Sequence, residues 1–256
     1  MRTALTIAVV TALIAPLAPL AHGDLVVEGL DGSITPMQAG WTYFALGNAA
    51  TASQVFSANR GIISQSTIGL GYAGQGSNYV YRTVQVDHPS SWTLRARVRV
   101  SASEQWSFPF GAFIAFGPVG LGLMPTSISP LNGSWVTLPF DGASWHDYRI
   151  ETTACGRWTV FVDDVVVHEG VNAATSGALD VAFGDGTGGA NANAQYDYVE
   201  VTVNEGAGAD FDGSGVVDGA DLATLLGQWG QPGITDLDCS GSTDGGDIGV
   251  LLGQWG

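Results

Sequence analysis

From Ser91 to Ser101 the chain alternates. Trp92, Leu94, Ala96, Val98 and Val100 fall on one side, and Arg95, Arg97 and Arg99 on the other. A period of two marks a strand with one buried face. Asn78 to Val86 repeats the pattern less strictly through Tyr79, Tyr81, Val84 and Val86. Shorter runs follow at Phe108 to Phe116, Trp135 to Phe140, His146 to Thr152 and Arg157 to Val162. Val165 to His168, Ala178 to Phe183 and Gln195 to Val203 complete the series, with Gly, Asp, Asn and Pro between them. Short strands at this spacing predict an all-β sandwich. The block Asp24 to Asn204 carries no helical period and holds about 180 residues. That exceeds an immunoglobulin-like unit of about 100 residues, so a two-sheet jelly roll of a dozen or more strands fits better.

The period changes in the last fifth of the chain. Leu222, Leu225, Leu226 and Trp229, then Ile248, Leu251, Leu252 and Trp255, recur at i, i+3, i+4 and i+7, one face of a short helix. An acidic loop precedes each helix, and the second unit repeats the first 26 residues on (236 − 210). Asp210, Asp212, Ser214, the Val216 carbonyl, Asp218 and Asp221 occupy places one, three, five, seven, nine and twelve, with Gly215 at six. Asp236, Asp238, Ser240, the Ser242 carbonyl, Asp244 and Asp247 repeat the set, with Gly241 at the turn. Calcium takes six to eight oxygens, and a twelve-residue loop with a glycine at its sharp turn supplies them. Place twelve is Asp rather than the Glu of a full EF-hand, and place five is a neutral Ser. Four carboxylates per loop remain to balance a divalent ion. An Asp-rich tail that only solvates would not need the twin LLGQWG segments.

Residues 205–209 (Glu-Gly-Ala-Gly-Ala) read as a linker, so each unit is a loop plus one helix, half an EF-hand. Two such units resemble a type I dockerin, which implies two calcium ions and a cohesin-type protein partner. Places ten and eleven depart from the usual contact residues: they are Gly219-Ala220 and Gly245-Gly246. No Lys or Arg follows Arg157. The Gly-rich, Trp-ending form resembles the dockerin-like tails of planctomycete secreted proteins.

Charge narrows the partners. The formal net charge is −16, and all 8 basic residues are Arg. Nucleic-acid binding requires a basic face to meet phosphates, and this balance argues against it. With 45% hydrophobic and 12% charged residues the chain is no disordered polyelectrolyte. Met1 to Gly23 reads as a secretory signal: Arg2, an apolar run from Ala4 to Ala15, and a small-residue exit at Ala21-His22-Gly23. The expectation is an exported protein without a membrane span, extracellular or at the cell surface. Cys155 and Cys239 are the only cysteines, one in each part. Export permits a bridge between them, and two separate thiols are the alternative.

Trp145 to Ile150, Gly156 to Asp163, Phe183-Gly184-Asp185 and Tyr196 to Val201 together resemble the second half of a concanavalin A-like lectin/glucanase domain. The fold class expected is therefore mainly β, a concanavalin A-like jelly-roll sandwich followed by a small all-α calcium-binding module. The resemblance also implies that Asp197 helps hold a third calcium; an ordinary edge-strand Asp is the other reading. That superfamily holds both enzymes and binding modules. Its glucanases carry a Glu-x-Asp-x-x-Glu strand, and no Glu here has Asp two residues later. Glu104, beside Trp106, is the best lone candidate for a general acid, and no catalytic residue is assigned.

Sugar binding needs aromatic faces and polar neighbours. Trp106, Trp135, Tyr79 and Tyr81 are the candidates, with Trp41 and Tyr72 placed similarly near turns, while Trp92, Trp145 and Trp158 read as core. Two functions compete. One is a non-catalytic module that binds a polysaccharide or other glycan and is attached through its tail. The other is a glycoside hydrolase or lyase of polysaccharide breakdown.

Overall fold

The structure is a computed structural model that describes residues 24–27, 32–45, 55–70, 78–86, 90–107, 110–131, 138–171, 173–204 and 208–256. The leader, Tyr72, Trp135 and linker residues 205–207 lie outside the described residues. Among the described residues fifteen strands are present: β1 Asp24–Val27, β2 Thr42–Ala45, β3 Phe56–Asn59, β4 Ile62–Ser66, β5 Asn78–Val86, β6 Ser91–Gln105, β7 Ala112–Phe116 and β8 Val119–Met124. Then come β9 Ser127–Leu131, β10 Leu138–Pro139, β11 His146–Thr152, β12 Trp158–Val162, β13 Val165–Gly170, β14 Gly177–Asp185 and β15 Ala190–Asn204. Two helices close the chain, α1 Gly219–Gly227 and α2 Gly245–Gly253. Among the described residues no helix is long and apolar enough to cross a membrane.

The strands form two antiparallel sheets. The eight-stranded sheet runs β13-β12-β11-β6-β15-β4-β3, with β1 also on β15. The two partners share one edge of β15: β4 takes residues 193–196 and β1 takes residues 201–204. The seven-stranded sheet runs β10-β9-β8-β7-β14-β5-β2. The inner faces make one core. Trp92, Leu94, Ala96, Val98 and Val100 of β6 are at most 1% exposed, and they pack with Val80, Ile114, Phe116, Leu121, Val181 and Phe183 of the other sheet. Burial of such side chains contributes about 1.5–3 kcal/mol each, and the alternation of β6 thus sets its register.

In β15 the inward set changes parity. Ala192, Ala194 and Tyr196 are buried, then Val199, Val201 and Val203. A bulge between Tyr196 and Tyr198 causes the change, and Asp197 is the residue without a counterpart on β6. The β12–β13 hairpin turns through Asp163 (φ 49°) and Asp164 (φ 63°). Both central residues are left-handed, the geometry of a type I′ turn, and Asp tolerates it. Two aromatic assignments change. Trp145 is half-exposed on the outer face, 5.0 Å beneath the Arg99 guanidinium, because it lies just before β11 begins. Trp41 is core, 4% exposed and edge-on to Phe183 at 5.2 Å.

The tail has its own small core of Ala209, Val217, Leu225 and Leu251, with Phe211, Leu222, Leu237 and Ile248 against it. Ala209 is fully buried and donates its N–H to Gln254 Oε1 at 3.2 Å, so it belongs to the tail rather than to a linker. Val217 bridges Trp255 in parallel, which joins loop one to the end of α2. Cys155 and Cys239 form a disulfide with Cα atoms 5.4 Å apart. This settles the open pairing and fixes the tail to the β11–β12 turn. A cleft of about 740 Å³ lies between the two parts, with Thr93, Arg157 and Asn204 on one side and Phe211, Ile234 and Leu237 on the other.

Candidate functional site

The acidic loops fold as their spacing requires. Gly215 (φ 86°) and Gly241 (φ 104°) take the left-handed turn at place six. Asp218 and Asp244 cap the helices, accepting from Ala220 N and Gly246 N at 2.7 Å. Asp221 and Asp247 return the capping box. Asp221 Oδ2 accepts from Asp218 N at 2.9 Å, and Asp247 Oδ2 from Asp244 N at 2.6 Å. Their other oxygens accept from Phe211 N at 2.7 Å and Leu237 N at 2.5 Å. Burial pushes both carboxyls up, but the backbone donors outweigh it and hold both below the usual range. Both are therefore anions with no exposed surface.

The loop carboxylate oxygens converge. One carboxylate oxygen each of Asp210, Asp212 and Asp221 lie within 4.8 Å of one another, and so do those of Asp236, Asp238 and Asp247. Ser214 Oγ and Ser240 Oγ lie 3.1 Å from the Val216 and Ser242 carbonyls, which brings places five and seven together. Asp236 is 6% exposed, and its Oδ1 is buried without a hydrogen-bond partner. A buried carboxylate oxygen with no donor is costly unless a cation meets it. The tail holds eight aspartates and no basic residue. The donor set is all oxygen, which suits a hard divalent ion, and its residues fit calcium.

Asp197 belongs to neither cluster among the described residues. Its Oδ2 lies 3.8 Å from Arg97 Nε, so a guanidinium already meets its charge.

A second feature lies on the outer face of the seven-stranded sheet. Tyr79 and Tyr81 point away from the core there, half-buried, with ring centres 6.1 Å apart. Phe44 of β2 lies 4.9 Å from Tyr79, and Phe113 of β7 lies 5.5 Å from it on the other side. β14 runs between β5 and β7, and Gly184 is its residue in that row. A Cβ on Gly184 would stand 2.8 Å from Tyr79 Cα, and its φ is +134°. It would also stand 2.9 Å from Asn78 O and 3.0 Å from the Phe56 ring, so the close approach there is to backbone and core. Beyond Phe113 the row continues to Gly122, roofed by the Phe110 ring. The next row holds Thr42, Tyr81, Ala182, Ala115, Gly120 and Leu131. The result is a line of rings beside a floor of small residues.

Asp180 stands on the same face and accepts from Thr83 Oγ1 at 2.6 Å. Burial first, then the charge of Asp180 and the neighbouring Tyr81, raises the Tyr79 phenol above its ordinary value. It stays a neutral hydroxyl. Phe44, Phe110 and Phe113 were not singled out from sequence. The alternate glycines of Val119–Met124 (VGLGLM) were the available signal, since small residues on one face leave room above it.

The other candidates lie elsewhere. Trp106 is 45% exposed just after β6, and its backbone N–H donates to Gly189 O at 2.9 Å. Glu104 accepts from Gly69 N at 3.0 Å and Asn191 Nδ2 at 3.1 Å. Those bonds hold its carboxyl below the usual range, the wrong direction for a general acid.

No family model matches the chain. No curated protein matches it either. Among solved structures it is similar to an endo-1,3-β-glucanase from Streptomyces sioyaensis, at 15% identity and TM-score 0.47 over 74% of this chain and 99% of that one. A Bacillus licheniformis β-glucanase aligns at 15% identity and TM-score 0.42, over 63% of this chain and 91% of that one. A family 7 alginate lyase from Zobellia galactanivorans aligns at 10% identity and TM-score 0.41, over 61% and 83%.

Proposed function

We propose that this is a secreted glycan-binding protein whose β-sandwich holds a polysaccharide and whose tail binds two calcium ions. The observation that carries the glycan reading is the group Phe44, Tyr79 and Tyr81, with the buried Phe113 backing Tyr79 edge-on. Aromatic faces cover the C–H faces of pyranose rings, and neutral phenols at their edge hydrogen-bond hydroxyls. The neighbouring row of Ala182, Ala115 and Gly120 is built of small residues, so the rings stand as the raised feature of this face. A binding rather than hydrolytic role is supported by the charge on this face. Glycoside hydrolysis uses two carboxyl groups about 5–9.5 Å apart. Asp180 is the one carboxylate that the described strands present there.

The tail reading is supported by the convergent carboxylates and by the partnerless Asp236 Oδ1. Asp210, Asp212, Asp221 and their repeats would hold the ions, whose charge offsets the repulsion among the loop carboxylates. Attachment to a cohesin-type protein would use outward residues of the two helices and of the turns that follow them. Leu226, Trp229, Leu252 and Trp255 are each about half exposed, at 50, 50, 54 and 47%. An extracellular setting is supported by the disulfide, which persists in oxidising compartments.

The test is retention on a panel of neutral polysaccharides in calcium, with released ends assayed in the same sample. Retention without product is expected, and Tyr79→Ala should weaken it about tenfold, as the loss of one stacked ring does. Unchanged retention in Tyr79→Ala would remove this face as the site. Released reducing ends or unsaturated products would replace the binding reading with the hydrolase or lyase one.

A further inference from the structure

The two acidic loops differ at places two, four, seven, eight and eleven, and place four is the one in the left-handed region that carries a cysteine in loop two. Loop one has Gly213 there, at φ +72°, and loop two has Cys239, at φ +62°. Glycine takes the left-handed region freely, whereas a residue with a Cβ is strained in it. Cys239 lies between the ligands Asp238 and Ser240, so its backbone angle sets how they face each other. Cys239 is also one end of the disulfide.

The other end is rigid. Cys155 sits in the β11–β12 turn, where Thr153 N donates to Arg157 O, Gly156 N to Thr153 O and Ala173 N to Gly156 O, each at 2.9 Å. The loops differ in cover as well. Asp210 is half-buried in loop one, while its counterpart Asp236 is buried with one oxygen unpartnered. The Cys155 sulfur lies 3.0 Å from the Asp236 carbonyl oxygen. The sandwich therefore covers the first ligand of loop two and, through the bridge, holds the conformation of its fourth residue.

We propose that the Cys155–Cys239 disulfide and the calcium of loop two are coupled: the bridge tightens that site alone, and the ion in turn protects the bridge. The inference rests on the calcium reading above. Coupling of this kind is reciprocal, so the factor by which oxidation raises calcium affinity is the factor by which calcium resists reduction. Reduction passes two electrons from a dithiol such as dithiothreitol, which closes to its own disulfide and leaves two protein thiols. Cys239 then carries the left-handed strain unaided.

Calorimetric calcium titration of the full chain tests this, oxidised and reduced. Asp210→Ala leaves loop two to be read, and Asp236→Ala leaves loop one. Reduction should weaken loop two about tenfold and loop one less than about twofold. In the unsubstituted chain calcium should shift the dithiol reduction midpoint by the same tenfold, about 30 mV. Cys155→Ser with Cys239→Gly should recover most of the loop-two affinity, because glycine removes the strain, whereas Cys155→Ser with Cys239→Ser should not. Equal loop-two affinity in both redox states, or an unmoved midpoint, overturns the coupling. Absence of calcium binding in the oxidised, unsubstituted chain overturns the calcium reading itself, and the coupling with it.

Discussion

Asp185 is a carboxyl placed at the inner end of β14 with 1% of its surface exposed. Thr67 Oγ1 donates to its Oδ2 at 2.6 Å and Thr187 N to its Oδ1 at 3.0 Å. Burial outweighs both bonds and pushes the carboxyl from 3.8 up to about 7. Folding therefore takes up a proton between about pH 4 and 7. The stability this group allows is complete below its unfolded value and is lost as pH rises through the folded one. The loss is on the order of 4 kcal/mol, at 1.36 kcal/mol per unit. Asp185→Asn should raise the melting temperature at pH 8 and flatten its fall between about pH 4 and 7. The amide can still accept from Thr187 N and donate to Thr67 Oγ1, whose own proton turns to the Ala192 carbonyl 3.3 Å away. A melting curve that keeps its slope in the variant would assign the pH dependence elsewhere. The Phe-Gly-Asp motif was legible in sequence. The burial of its carboxyl was not, because Thr67 and Asp185 are 118 residues apart and meet only across the two sheets.

Among the elements, those with strict alternation were legible. β6 buries the five residues its pattern assigns, and the Asp163-Asp164 turn appears where the sequence puts it. β8 and β9 were missed. In Val119–Met124 all six residues are buried, so no polar position marks the outer face. Its glycines mark it instead, through contact. A Cβ on Gly122 would stand 2.3 Å from Phe110 Cγ, and one on Gly120 would stand 2.3 Å from Ile114 O. Gly122→Ala should lift Phe110 from the sheet and cost about 1–3 kcal/mol, the usual penalty of overpacking. Chemical denaturation measures it. Wild-type stability in that variant would mean that the Phe110 ring moves aside freely. The convergence of the loop carboxylates was legible because it is local: Asp210, Asp212 and Asp221, and their repeats, each lie within twelve residues. The aromatic row was half legible. Tyr79 and Tyr81 share a strand, but Phe44 and Phe113 reach them from strands far apart in sequence.

For the whole molecule, sequence separates a β block from a tail and leaves open how they join. The disulfide closes a sequence separation of 84 residues. Loops of this size remove about 4–5 kcal/mol of unfolded-chain entropy in the chain-entropy account. The 5.4 Å between the two Cα atoms depends on how the tail seats against the β11–β12 turn, which no local pattern encodes. The same sheet that carries this turn ends at β13 (Val165–Gly170), which among the described residues has a neighbour on one side only. Val165 and Val166 are 64 and 51% exposed along that border. Unpaired backbone beside branched apolar side chains is a template for another chain. The guards here are anionic: Asp163 and Asp164 precede the strand, Glu169 lies within it, and the molecule carries −16 in all. Such guards fail near the isoelectric point of about 4.2 and are replaced by positive repulsion at lower pH. Light scattering should therefore peak near pH 4 and fall on either side. Val166→Lys should suppress the peak more than Ser176→Lys, which adds the same charge away from the strand. Equal suppression would mean bulk charge alone governs solubility. The border strand thus makes acidity, rather than heat, the condition under which copies of this protein first find one another.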